Sequence, residues 1–142
     1  MAKNKQEHSF TDDAVLLMFL NLIEEDGIEI DVTLNMNGAI VSGTLIGAGA
    51  YYDGITEASK NLEDNTMSKI ISKKFNDLKE AYQKQKQDNE EDEESEVTPT
   101  FIHLKNACYV VSTNGQSVTK ESKVWWRGRI TSIDGFSFNN LT

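Results

Sequence analysis

The eight residues from Ile28 to Asn35 alternate without a break, with Ile28, Ile30, Val32 and Leu34 set against Glu29, Asp31, Thr33 and Asn35. A period of two suits a strand with one dry and one wet face, whereas a helix would scatter the same apolar residues around its circumference. Asn37-Gly38 follows, a pair that tolerates the two positive φ angles of a type I′ hairpin turn. Ala39 to Ile46 then returns as a second strand, so residues 28–47 read as a strand pair. Gly43 interrupts the returning strand. A glycine there marks a bend or bulge of the kind that curls a small sheet toward a barrel.

What flanks the hairpin is helical on both sides. A first helix is expected over 11–26, with Thr11 as N-cap, Phe10 and Val15 placed as a hydrophobic staple, Asp12 and Asp13 at the positive end, and Gly27 as the stop. Apolar residues cover most of its circumference, so one buried face does not hide it, and Leu16, Leu17, Phe19 and Leu20 are candidates for self-association. The apolar run from Ala14 to Ile23 is too short to span a bilayer and lies between acidic flanks, unlike a signal peptide. After Gly47-Ala48-Gly49 a helical insertion is expected over 50–87. Its clearest pattern is Met67, Ile70, Ile71, Phe75, Leu78 and Tyr82, with Asn65 or Thr66 as cap. A polar stretch leads into an acidic, disordered loop over 88–97, and about three further strands are expected over 100–138, with turns at Asn114-Gly115 and Asp134-Gly135. The expectation is a single α+β domain over 1–142: a small curved antiparallel sheet or barrel, an N-terminal helix, and a helical insertion between the second and third strands.

Charge is concentrated in one place. The chain has 14 Lys and Arg against 23 Asp and Glu, a net charge of −9. Asp88, Glu90, Glu91, Asp92, Glu93, Glu94 and Glu96 carry seven of these negative charges, which leaves −2 for everything else. The sum argues against bulk DNA or an acidic membrane as the main partner. Cys108 is the only cysteine, which excludes an intramolecular disulfide and favours a reducing, cytoplasmic setting.

No catalytic pattern survives inspection. Gly47-Ala48-Gly49 sits between a strand and a helix like a dinucleotide loop, but Tyr52 occupies the third glycine position. Ser42-Gly43 lacks the upstream glycine of a nucleophile elbow, since Ile40 stands there. Cys108 lies in an apolar run, His103 alternates with Ile102 and Leu104, and the acidic tract lacks the glycine and ligand spacing of an EF-hand. The chain therefore reads as a non-enzyme without cofactor or metal.

The late strand Val124-Trp125-Trp126-Arg127-Gly128-Arg129-Ile130 combines basic and aromatic residues. One tryptophan is expected to face the core, and the other to share a face with Arg127 and Arg129. With the N-terminal helix and the bent strand around Gly43, this strand is similar to the second half of an Sm-like small β-barrel. More specifically, Leu34 to Ile46, Phe101 to Asn106, Trp126 to Ile130 and Ile133 to Phe136 resemble the gas vesicle accessory protein U family. That resemblance implies a small cytoplasmic protein that assists the formation or clustering of gas vesicles, is not their wall, and has no catalytic residues. Its expected partners are further copies of itself and the gas vesicle surface or other gas vesicle proteins. The interaction residues singled out are Trp125, Trp126, Arg127 and Arg129 on the basic strand and Glu90, Glu91, Asp92, Glu93 and Glu94 in the acidic tract. The alternative is an Sm-like RNA binder using the same arginines and one tryptophan for phosphate contact and stacking. The base-pinching loop residues of that family have no counterpart near Tyr51-Tyr52-Asp53-Gly54.

Overall fold

The structure, a computed structural model, describes residues 13–91, 99–113, 116–119 and 123–139. These group into two compact units, one of a helix with all the strands and one of two helices.

The sheet unit begins with α1, Ala14–Asp26. Its cap is Asp13, whose Oδ1 accepts from the amides of Val15 at 3.0 Å and Leu16 at 3.2 Å. The expected cap at Thr11 and the staple partner Phe10 lie outside the described residues. The helix stops at Gly27, which takes φ 68° and donates its amide to the Ile23 carbonyl at 3.1 Å. Leu16, Leu20 and Ile23 recur at helical spacing and bury their side chains in the core.

Six antiparallel strands follow among the described residues: β1 Ile30–Met36, β2 Ala39–Ile46, β3 Phe101–Thr113, β4 Gln116–Thr119, β5 Val124–Arg129 and β6 Gly135–Phe138. The path runs β4-β3-β2-β1-β6, and β5 pairs with the other stretch of β3. The β1–β2 turn is the expected one, with Asn37 at φ 55° and Gly38 at φ 89° joining Met36 to Ala39. Ile28 falls outside the strand and is exposed. The expected turn at 114–115 lies outside the described residues, but Thr113 pairs with Gln116 across it. After the insertion the described residues form four strands rather than about three. The extra one, β4, is short.

The architecture is α+β with a curved, open sheet. The barrel does not close, because β6 spends its four residues pairing with β1, and β5 pairs only with β3. A 3-10 turn, Ile130–Ser132, joins these two strands. One face of the sheet carries Val32, Leu34, Val41, Leu45, Ile102, Leu104 and Ala107, all 1% exposed or less, and packs with Ile130 and the three α1 residues. The other face is polar along β1 and β2. There Thr33 Oγ1 lies 2.6 Å from Ser42 Oγ, and Thr44 Oγ1 donates to Asp31 at 2.7 Å.

The helical unit is a hairpin of α2, Ala48–Ser59, and α3, Asn65–Glu91. Tyr52 and Tyr82 stack edge to face at 6.0 Å, and Lys79 reaches Asp53 at 2.8 Å. The cap of α3 is Asp64, whose Oδ1 accepts from the Met67 amide at 3.0 Å, rather than Asn65 or Thr66. α3 also continues past Gln87 to Glu91, because Lys, Gln, Glu and Ala all favour helix. The acidic tract therefore begins on a helix.

Gly43 lies where the β2–β3 register slips. Ser42 faces Cys108 while Thr44 faces Lys105, so β3 holds an extra residue, and Asn106 absorbs it at φ 53°. A Cβ on residue 43 would stand 3.0 Å from Ala107 Cα and 3.1 Å from the Lys105 carbonyl oxygen. Both are backbone atoms with little room to yield. Gly43→Ala is expected to destabilise the chain by roughly 1–3 kcal/mol, seen as a lower urea midpoint; an unchanged midpoint would show that the two strands can separate freely.

Candidate interaction surface

β5 divides its side chains between two environments. Its partners on β3 are Phe101 for Arg129, Ile102 for Gly128, His103 for Arg127 and Leu104 for Trp126. Trp126 therefore joins the core side, where it packs against the buried cluster and donates Nε1–H to the Tyr109 hydroxyl at 3.0 Å. Its indole lies over Gly128, and a Cβ on that residue would overlap the six-membered ring. An aromatic covering a glycine two residues away shields backbone that would otherwise face a gap.

Trp125, Arg127 and Arg129 alternate onto the opposite face. Trp125 is half-buried and both arginines are exposed. Arg127 lays its guanidinium over the Phe101 ring, with Cζ 3.9 Å from the centroid, a cation–π contact that holds the charge in place. The sequence pattern did not single out Phe101, because strand alternation shows which face a residue takes but not which neighbour it stacks on. Lys105, two residues beyond His103, is bound to Glu29 at 2.8 Å, so its charge is compensated.

His103 is 5% exposed and lies across the ladder from Arg127. Burial first, and the Arg127 charge second, push its pKa down from 6.5 to about 4. The ring is neutral near pH 7, which keeps Arg127 the net charge of this neighbourhood.

The other singled-out residues fall in several places. Leu16 and Leu20 belong to the core of the sheet unit, and Phe19 stacks on Phe138 at 4.4 Å. Leu17 is half-buried, while Val15 and Met18 are about half exposed and carry the accessible apolar surface of α1. Glu90 and Glu91 form the last residues of α3; Asp92, Glu93 and Glu94 lie outside the described residues.

The arrangement offers no catalytic constellation among the described residues. Cys108 Sγ donates to the Ser42 carbonyl at 3.7 Å, and Ser42 Oγ is taken up by Thr33. No group of three or more His, Cys, Asp or Glu gathers to hold a metal ion among the described residues. At Gly47 a Cβ would sit 3.0 Å from the Glu24 carboxylate, so an anion stands where a nucleotide phosphate would approach. No helix among the described residues is long and apolar enough to cross a membrane.

Comparison with known proteins adds one finding. The protein-family profile described as gas vesicle protein GvpU-like matches residues 13–141. No curated protein and no solved structure matches the chain.

The depressed His103 pKa has a defined sign. Below about pH 6.5 the unfolded chain takes up a proton at this residue that the native state refuses, so stability falls as pH drops from 6.5 toward 4. The loss reaches about 3 kcal/mol once both states are protonated. A His103 ring-proton titration by NMR should show a midpoint near 4, and His103→Leu should flatten that part of the pH dependence of urea unfolding. A midpoint near 6.5 would contradict the burial argument.

Proposed function

Because the chain belongs to the gas vesicle protein GvpU-like family over nearly its whole length, we propose that it is a non-catalytic accessory protein that organises gas vesicles in the cytoplasm as a self-associating scaffold. The observation that carries this reading is the outward face of β5. Arg127 and Arg129 stand exposed beside Trp125, with Arg127 fixed over Phe101, so a basic-aromatic strip is presented by a strand whose other face is anchored in the core.

The complementary element is the acidic tract that starts on α3 with Asp88, Glu90 and Glu91 and continues in sequence through Asp92, Glu93, Glu94 and Glu96. Each single contact between a rim arginine and a carboxylate is weak and screened by salt. Copies gathered on a vesicle, or on one another, turn weak contacts into avidity. The family's gas vesicle setting makes the vesicle surface or another gas vesicle protein the other partner. Indole Trp126 is committed to the core and to Tyr109, which leaves β5 a single stacking platform. That weakens the RNA reading, since single-strand binding draws on several platforms in succession.

Flotation separates bound from free protein, since gas vesicles rise and carry what they hold. Wild-type protein should co-float at low salt and cluster vesicles under the microscope, with binding falling as salt rises. Arg127→Glu combined with Arg129→Glu should cut co-flotation by about tenfold without changing the far-UV circular dichroism. Co-flotation and clustering that ignore both the double substitution and salt would overturn the role given to β5.

A further inference from the structure

β5 has an open edge, and its ladder with β3 says which backbone groups face outward. The Ile130 amide donates to the Thr100 carbonyl at 2.9 Å, in step with the pairing of Phe101 with Arg129 and of Ile102 with Gly128. Hydrogen bonding alternates along an antiparallel pair. Trp126, Gly128 and Ile130 therefore turn their N–H and C=O groups to β3, while Trp125, Arg127 and Arg129 turn theirs away. No strand among the described residues pairs with that outer edge. The residues with outward backbone are the ones whose side chains form the basic strip. Neither arginine has an ion pair among the described residues, whereas Lys105 on β3 is held by Glu29. Such an edge is a template for a further strand.

An added antiparallel strand sets every second side chain beside the arginines and the others beside Trp126 and Gly128. The chain's own residues 94–98, outside the described residues, have the matching order in sequence: Glu94-Ser95-Glu96-Val97-Thr98. With Glu94 opposite Arg129 and Glu96 opposite Arg127, Thr98 meets Trp125, Ser95 meets Gly128 and Val97 meets Trp126. Both charges are matched, the small Ser95 falls on the glycine that the indole covers, and the β-branched Val97 falls beside the indole itself. Other registers do worse. A slip of two residues one way opposes Glu93 to Gly128, against the indole, and a slip the other way leaves one arginine without a carboxylate. A parallel strand that matches both arginines opposes Glu93 to Trp126.

The segment cannot serve its own β5. Thr100 is fixed beside Ile130, Thr98 comes two residues earlier and reaches at most about 7 Å from it, and Trp125 lies roughly 17 Å back along β5. We propose that residues 94–98 of a second copy add to the outer edge of β5 as an antiparallel strand, with Glu94 on Arg129 and Glu96 on Arg127. The proposal rests on the reading of β5 as the contact surface and names what it contacts there. Each copy has an edge to fill and a segment to give, so the contact closes in a pair or passes from copy to copy. Two solvent-exposed ion pairs and one short ladder make each contact weak and sensitive to salt.

The test is sedimentation velocity on the full chain at low salt, over about 5 to 500 μM. Association is expected. Glu94→Lys with Glu96→Lys should weaken it at least ~10-fold, whereas Glu90→Lys with Glu91→Lys, the same change of charge, should alter it less than ~3-fold. A synthetic peptide of residues 93–98 should compete with association. N-methylation at its residue 96, whose N–H faces β5, should abolish competition, and N-methylation at residue 97, whose N–H faces away, should not. Amide exchange locates the contact: in dilute protein Arg127 and Arg129 should exchange fast and Trp126 and Gly128 slowly, and association should slow the first two at least ~10-fold. If both lysine pairs weaken association equally, or both methylated peptides compete alike, strand addition is overturned while the charge reading of β5 stands. If Arg127→Glu with Arg129→Glu leaves association unchanged, both fall. A monomer at every concentration, or an edge that a uridine hexamer occupies more tightly than the peptide, would also overturn the proposal.

Discussion

The close approach of two backbones at Gly43 is the constraint on which the sheet depends. β2 passes β3 there with no room for a Cβ, because the neighbouring Ala107 Cα and Lys105 carbonyl already occupy the space. The extra residue at Asn106 shifts the register of β3, so His103 to Lys105 pair with the far end of β2 while Cys108 to Val110 pair with its near end. A bulge increases local twist and turns the strand. It lets one strand of thirteen residues serve β4 at one end and β5 at the other while both ends share β2 as neighbour. Without it, Ala107 and Leu104 would alternate onto opposite faces. With it, both are fully buried on the same one.

That arrangement fixes what β5 can present. A strand paired with the curved part of β3 must lay Trp126, Gly128 and Ile130 on the core side, and the remaining side chains have only the outside left. Gly128 is needed because the Trp126 indole has folded over it, and the indole is held by Tyr109 from the far side of the bulge. The exposed arginines are therefore held in set positions. Their strand is registered by Ile102 and Leu104, both fully buried in the sheet. His103 completes the argument from the other side, since burial keeps it neutral and leaves the positive charge to Arg127.

Much of this was legible in the order of residues. Strict alternation from Ile30 to Leu34, the Asn37-Gly38 turn and Gly43 are local signals with one physical reading each, and the structure realises all three. The split of Trp125 from Trp126 follows from the same period of two. Other features depend on contacts that sequence spacing does not encode. The cap of α1 falls on Asp13 although Thr11 offers an equally suitable side chain, because capping preference is nearly degenerate among Ser, Thr, Asp and Asn. An open sheet and a closed barrel share the same strands and the same bulge, and differ only in whether β5 and β6 pair. Leu16 and Leu17 are identical residues side by side, yet α1's orientation buries one and leaves the other half covered. The apolar residues of α3 form one helical pattern in sequence, and only the contacts of Tyr52 and Asp53 mark the side that α2 takes.

Net charge is the property most easily misread from composition. Summed over the chain it is −9, yet a charge is felt only within a screening length of about 8 Å at physiological salt. α3 is roughly 40 Å long, so its basic and acidic halves act as separate charges, and a partner meets one or the other. The basic strip on β5 likewise sees its own neighbours rather than the sum. Opposite charges on two such segments attract only where they come within that screening length. Moving charge between segments at constant total therefore changes what a partner meets, although the sum stays −9.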